Sequence, residues 1–220
     1  MEETKLRYLL GDEKPTKPLL TQIKIADAMV DLMQDTDFDR IKVTDIVAHA
    51  GIVRSTFYLY FKDTVDVVEH MEEALISHMP FYSSSRQARI IATPDEPPTP
   101  DMCARLPWIQ EWFEYVECFK REFSALIGPH GDKSFTYRIQ AFLRSSYQLQ
   151  MNDDHIRNDE LRNFHVKACT ELQLIMLSNW LKDGRRAELS AEELANVLNL
   201  VRVGGLYVHY LAHENDKQSQ

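Results

Sequence analysis

The chain has 220 residues, enough for one large or two small domains, and its 44% hydrophobic and 27% charged content excludes wholesale disorder. A net charge of −9 excludes a uniformly basic nucleic-acid coat, and seven glycines are too few for a turn-rich β protein. Three widely spaced cysteines, Cys103, Cys118 and Cys169, suit reduced thiols better than a disulfide framework or a zinc site.

Residues 1–18 mix Lys5, Arg7, Lys14 and Lys17 with Glu2, Glu3, Asp12 and Glu13, end on Pro15 and Pro18, and read as a flexible N-terminal arm. Glu2 and Glu3 stand where a signal peptide would be positive, and no stretch approaches the ~20 apolar residues of a membrane span. The expectation is a cytoplasmic chain with no membrane partner.

From Leu19, Ile23, Ala26, Met29, Val30 and Met33 recur at three- and four-residue spacing and predict an amphipathic helix that ends at the run Asp35–Asp39. Val43 to Ala50 reads as a short helix with Val43, Ile46, Val47 and Ala50 inward, followed by Gly51 where the chain must turn. Arg54 to Phe61 reads as a third helix held down by Phe57 and Phe61, and Asp63 as the N-cap of a fourth carrying Val67, Val68, Met71, Leu75 and Met79.

Residues 83–107 break the pattern with serines and five prolines from Pro94 to Pro107, and read as a linker or loop. Helical periodicity then resumes. One helix is expected over Trp108–Ile127, closed by Gly128-Pro129-His130-Gly131, and a second over Ser134–Met151. A long helix is expected from about Asp159 to Lys182, and a last one from the capping box Ser190/Glu193 to about His213. The fold class expected is all-α: a three-helix head over 19–82 and a helical bundle over 108–220.

The stretch from Phe38 to Asp63 carries the chemistry. Two short helices joined at a glycine turn are helix-turn-helix geometry, whose second helix lies in the DNA major groove. Arg54 can reach guanine or phosphate, Thr56 and Tyr60 share a face and offer hydroxyls, and Tyr58 adds another hydroxyl with an aromatic edge. By spacing alone, a purely structural three-helix unit stays open.

The run Gly51-Ile52-Val53-Arg54-Ser55-Thr56-Phe57-Tyr58-Leu59-Tyr60-Phe61, with Val43-Thr44-Asp45-Ile46-Val47 before it, resembles the second and third helices of the TetR family. Asn179–Gly184 with Ser190–Leu194 is similar to the C-terminal domain of a TetR-like subgroup of low-GC Gram-positive bacteria. The resemblance implies a homodimeric transcriptional regulator, more often a repressor, on a palindromic double-stranded DNA operator. It implies a small-molecule effector in the C-terminal helices and a dimer interface through the last two. It implies that Arg54, Ser55, Thr56, Tyr58 and Tyr60 face DNA, with Lys42 and Thr44 near the backbone.

This chain departs from the family at Lys42 and Val53, where capping hydroxyls or amides are usual and each missing cap costs ~1 kcal/mol. It also has Thr64 where a phosphate-binding lysine is usual and Val65 where an acid follows; Lys62 is the replacement cation. Across Lys17–Asp63 the cations are slightly outnumbered by aspartates. These departures keep a second reading in view, an adaptor of the same fold that works through a protein partner.

Trp112, Tyr115, Phe119, Tyr137 and Tyr147 are candidates for the effector pocket, or else plain core, since aromatics at helical spacing serve either purpose. Apolar stripes with Leu172, Ile175 and Met176, and with Leu194, Leu198, Val201 and Tyr207, suit core or dimer contact. His209 and His213 lack a third ligand, so no metal is expected, nor any cofactor. No P-loop, dinucleotide turn, nucleophile elbow or HExxH stands in the sequence, so no enzyme is expected.

Overall fold

A computed structural model describes residues 16–83, 107–153, 155–182 and 189–202, all helical or irregular among these residues. The arm over 1–15, the linker over 84–106, and the residues after Arg202, with Gly204-Gly205, Tyr207, His209 and His213, lie outside the described residues. Contacts divide the chain into two compact units: residues up to Met79 with Cys118–Ile139, and Pro80–Glu117 with the chain from Gln140 onward.

The first unit begins with α1, Lys17–Leu32, two residues earlier than the periodicity predicts, because Thr16 caps it and Pro18 fits its first turn. A 3-10 turn, Phe38–Arg40, leads to α2, Val43–Ala50, then α3, Arg54–Tyr58, and α4, Thr64–Ser77. Their inward faces supply Ile25, Met29, Val30, Ile46, Phe57, Phe61, Val67, Val68, Met71 and Leu75, all buried. Of the four residues expected inward on α2, only Ile46 is fully buried; Val43, Val47 and Ala50 are partly covered.

The segment expected as one helix over Trp108–Ile127 is two: α5, Pro107–Cys118, and α6, Lys120–Ile127. Phe119 breaks the run at φ −114° and ψ 30°. The reason is tertiary. Trp108, Ile109, Trp112, Phe113 and Val116 fill the core of the second unit, whereas Phe123, Ala125 and Leu126 fill that of the first. One straight helix has one inward stripe, and this stretch serves two cores.

Accordingly 118–139 packs with the N-terminal helices rather than with the rest of 108–220. Arg121 of α6 bonds Asp27 at 2.8 Å and Asp31 at 2.5 Å, both on α1. The Phe38 N–H donates to the His130 carbonyl at 2.9 Å, and His130 Nδ1 lies 2.7 Å from Asp37. Arg138, in the first turns of α7 (Lys133–Asp153), bonds Glu72 at 2.8 Å and Glu73 at 3.1 Å on α4.

The second unit comprises α5, the rest of α7, α8 (Glu160–Lys182) and α9 (Ala191–Arg202). Trp108 meets Tyr147 edge-on with ring centroids 5.2 Å apart, and Phe113 meets Trp180 at 6.0 Å. His155 follows α7 in the left-handed region at φ 57°. Buried Arg162 clamps this turn by donating to the carbonyls of Ile156 and Gln148 and to Asn152 Oδ1. The capping box at the start of α9 forms as expected: the Ser190 N–H donates to Glu193 at 2.7 Å, and the Glu193 N–H to Ser190 Oγ at 3.2 Å.

Candidate nucleic-acid interface

The geometry of α2 and α3 follows from three local features. Gly51 takes φ 64° and ψ 38°, which lets the Gly51 and Ile52 N–H groups both donate to the Val47 carbonyl. Phe57 and Phe61 are buried with ring centroids 6.0 Å apart, and they pin α3 by its inner side. Asp63 then accepts from the Asp66 N–H at 2.9 Å while Asp66 accepts from the Lys62 N–H at 2.8 Å, a reciprocal cap on α4.

The two departures from capping chemistry differ in consequence. Lys42 is the N-cap of α2 and its side chain cannot accept, but Asp45 Oδ2 accepts from the Lys42 N–H at 2.9 Å, so half of a capping box survives. Val53, the N-cap of α3, provides no side-chain bond. The α-helix there is shorter than the expected Arg54–Phe61 and ends at Tyr58, although the Tyr60 and Phe61 N–H groups still donate to the Phe57 carbonyl at 3.0 Å.

With the inner face anchored, the outer face of α3 presents Arg54, Ser55 and Tyr58, all exposed. Arg54 Nη2 donates to the Tyr58 hydroxyl at 3.1 Å, and the guanidinium lies 5.5 Å from that ring's centroid. The arginine is thereby held extended along the outer face, one turn from its partner. Thr56 and Tyr60 are only partly accessible, so of the expected set they are the less available. Lys42, Thr44 and Lys62 are exposed, and the Thr44 hydroxyl leans on Asp45 at 3.4 Å.

Three features here were not anticipated from sequence. Val53 and Leu59 are 65% and 76% exposed, apolar groups beside the polar ones. Asp45 and Asp66 accept the Lys42 and Lys62 N–H groups at the starts of α2 and α4, detectable in hindsight as acids three residues after Lys42 and Asp63. His49 bonds Asp31 at 3.1 Å. Burial raises the Asp31 carboxyl, but bonds from Arg121 and His49 prevail and hold it below its ordinary range.

Residues 25–71 match the family described as bacterial regulatory proteins, tetR family. The head is a tetR-family domain. Over 57 residues it is 40% identical to the dhaKLM operon transcriptional activator DhaS of Lactococcus lactis, a match covering 26% of this chain and 30% of that one. The matched region spans less than a third of the length of the curated relatives.

Beyond the tetR-family head the likeness is one of fold. A TetR-like transcriptional regulator from Rhodococcus shares it at TM-score 0.59 and 14% identity, over 89% of this chain and 99% of that one. The regulator FadR from Bacillus subtilis, solved in complex with stearoyl-CoA, shares it at TM-score 0.54 and 16% identity, over 84% and 98%.

The five effector-pocket candidates fall in both units. Trp112, Tyr115 and Tyr147 belong to the C-terminal unit, and Phe119 and Tyr137 to the tetR-family head's unit. Trp112, Phe119 and Tyr147 are buried and Tyr115 is half-buried, but Tyr137 is 71% exposed and lines no interior. Among the described residues no group of His, Cys, Asp and Glu suits a metal ion, and no helix is long and apolar enough to cross a membrane.

Proposed function

We propose that this chain is a ligand-responsive, DNA-binding transcriptional regulator of the cytoplasm that grips a palindromic operator as a homodimer. The observation that carries this is the divided surface of α3. Phe57 is sequestered, whereas Arg54, Ser55 and Tyr58 stand outward on a helix-turn-helix that matches the tetR family. On this reading Arg54, Ser55, Thr56, Tyr58 and Tyr60 meet the major groove, and Lys42, Thr44 and Lys62 meet the flanking phosphates.

The dimer would form through α8 and α9. Phe164 and Ile175 are 67% and 57% exposed, three turns apart on α8, and Val197, Leu200 and Val201 stand exposed on α9. The effector would bind within the C-terminal unit; the FadR structure named for its stearoyl-CoA complex supports a small-molecule role for this fold. We assign repression as the default action; the DhaS relative is named an activator, so a reporter driven by the bound promoter decides the sign.

The test is a salt titration of binding to DNA fragments from the chain's own upstream region. Wild-type protein should bind one fragment over a random one, with affinity falling as salt rises. Arg54→Ala and Tyr58→Ala should each lose about tenfold or more in that preference. A folded dimer that treats all fragments alike at low salt overturns the reading. Exposed Val53 and Leu59 favour the adaptor of the same fold in that event, because apolar groups of this size suit a protein contact.

A further inference from the structure

Among the described residues, the interior of the C-terminal unit holds a buried cation with no anion bonded to it. Arg202, on the inward face of α9, is 1% exposed. Its Nη1 donates to Gln150 Oε1 at 2.5 Å, and its guanidinium lies 5.6 Å from the Tyr147 ring centroid. Among the described residues its Nε and Nη2 have no partner. Buried charges are ordinarily matched by an opposite charge, because the lost hydration must be replaced.

The described residues around it do not supply that charge. His165 is pushed down to about 4 by burial and by Arg202, so it is neutral. Burial pushes the Cys169 thiol up to about 11 and raises the Tyr147 hydroxyl further, so both keep their protons. No carboxylate among the described residues bonds Arg202.

The hydrogen-bond inventory tilts the same way. Gln150 Oε1 is already shared by Arg202 and the Trp108 Nε1–H, which donates at 3.1 Å. Gln173 Oε1 accepts the Tyr147 hydroxyl at 2.6 Å, and Gln173 Nε2 has no partner among the described residues. Asn199, one turn before Arg202 and also buried, has both amide atoms unmatched among the described residues. What remains among the described residues is chiefly N–H donors and one full positive charge, with the guanidinium over the Tyr147 ring and Trp108 edge-on to that ring. Water could satisfy the amides but would not neutralise the guanidinium.

We propose that this cluster binds the carboxylate of a small organic acid, with Arg202 supplying the charge and Gln173 and Asn199 the flanking donors. The ligand's apolar part would lie against Trp108 and Tyr147. This deepens the effector reading above and rests on it, but it concerns ligand binding alone and is measured without DNA.

The probes are hexanoate and phenylacetate, compared with hexan-1-ol and 2-phenylethanol at matched ionic strength, read by thermal unfolding and tryptophan fluorescence of the full chain. The acids should raise the unfolding temperature saturably and perturb the fluorescence, and the alcohols should not. Arg202→Met should fold at least as stably as the unliganded protein, since it removes an unmatched buried charge, and should lose the acid response. Gln173→Leu, which keeps the cation, should weaken the response about tenfold. The proposal is overturned if neither acid acts on the wild-type protein, if the alcohols act equally, or if both variants respond as wild type does. DNA binding by the same samples is scored separately. Its loss with the acid response intact counts against the regulator reading alone.

Discussion

Gly51 is the residue on which the head's geometry turns. Its φ of 64° lies where a side chain costs about 1–2 kcal/mol, and a Cβ added there would meet nothing within 4 Å. Gly51→Ala should therefore lose about that much stability in urea unfolding, with no steric contribution, and a neutral result would mean the turn relaxes. Two buried titrating residues oppose each other in the same pH window. Burial lifts Glu72 from 4.5 to about 7 despite the Arg138 bond, so the fold holds a proton there that the unfolded chain releases. Its contribution is fully present below pH 4.5 and is lost as pH rises through 7. His165, lowered from 6.5 to about 4, acts the other way: its contribution is present above 6.5 and lost as pH falls toward 4. Thermal unfolding across this range should show Glu72→Gln removing the decline with rising pH, and His165→Gln removing the decline with falling pH. Variants with unchanged slopes would mean that these groups are solvated.

At the scale of elements, what could be read from sequence is what local chemistry determines. The Gly51 turn, the Phe57/Phe61 anchors, the Asp63 cap and the Ser190/Glu193 box all depend on residues within a few positions, and all are present. The break at Phe119 was not legible, because no glycine or proline marks it and it arises from two cores drawing on one run of sequence. Arg202 was hidden for a related reason. An arginine between Val201 and Val203 reads as the solvent side of a helix, whereas here Val201 is 54% exposed and Arg202 is inside. The candidate DNA-facing set was legible as a segment, but which of its hydroxyls stand clear depended on how α3 seats on Phe57. The aromatic set divides between the two units because helical spacing says nothing about which unit a ring serves.

At the scale of the whole molecule, the exposed apolar residues of α8 and α9 bear on assembly. Leu194 and Leu198 are core, whereas Ile175 and Val201 from the same expected stripes face outward. Scattered exposed leucines need no explanation, but Phe164 and Ile175 share one face of α8, and Val197, Leu200 and Val201 share one face of α9. If the homodimer proposed above forms through these faces, Ile175→Glu combined with Val201→Glu should leave only monomer in sedimentation velocity at micromolar concentration, where the unsubstituted chain sediments as a dimer, without loss of helical circular dichroism. A variant that sediments as wild type would place the dimer contact elsewhere.

The head separates the side chains that hold α3 from those that face outward. Phe57 and Phe61 secure it from within, while Arg54, Ser55 and Tyr58 touch mainly one another or solvent. Exchanging an outward residue therefore leaves the fold almost undisturbed, since surface changes away from caps and cores are usually worth within about 0.5 kcal/mol. Such a helix behaves as a replaceable key on a fixed bow. On the DNA-binding reading proposed above, descendants of this chain can drift in what they recognise through single substitutions at little expense in folding stability.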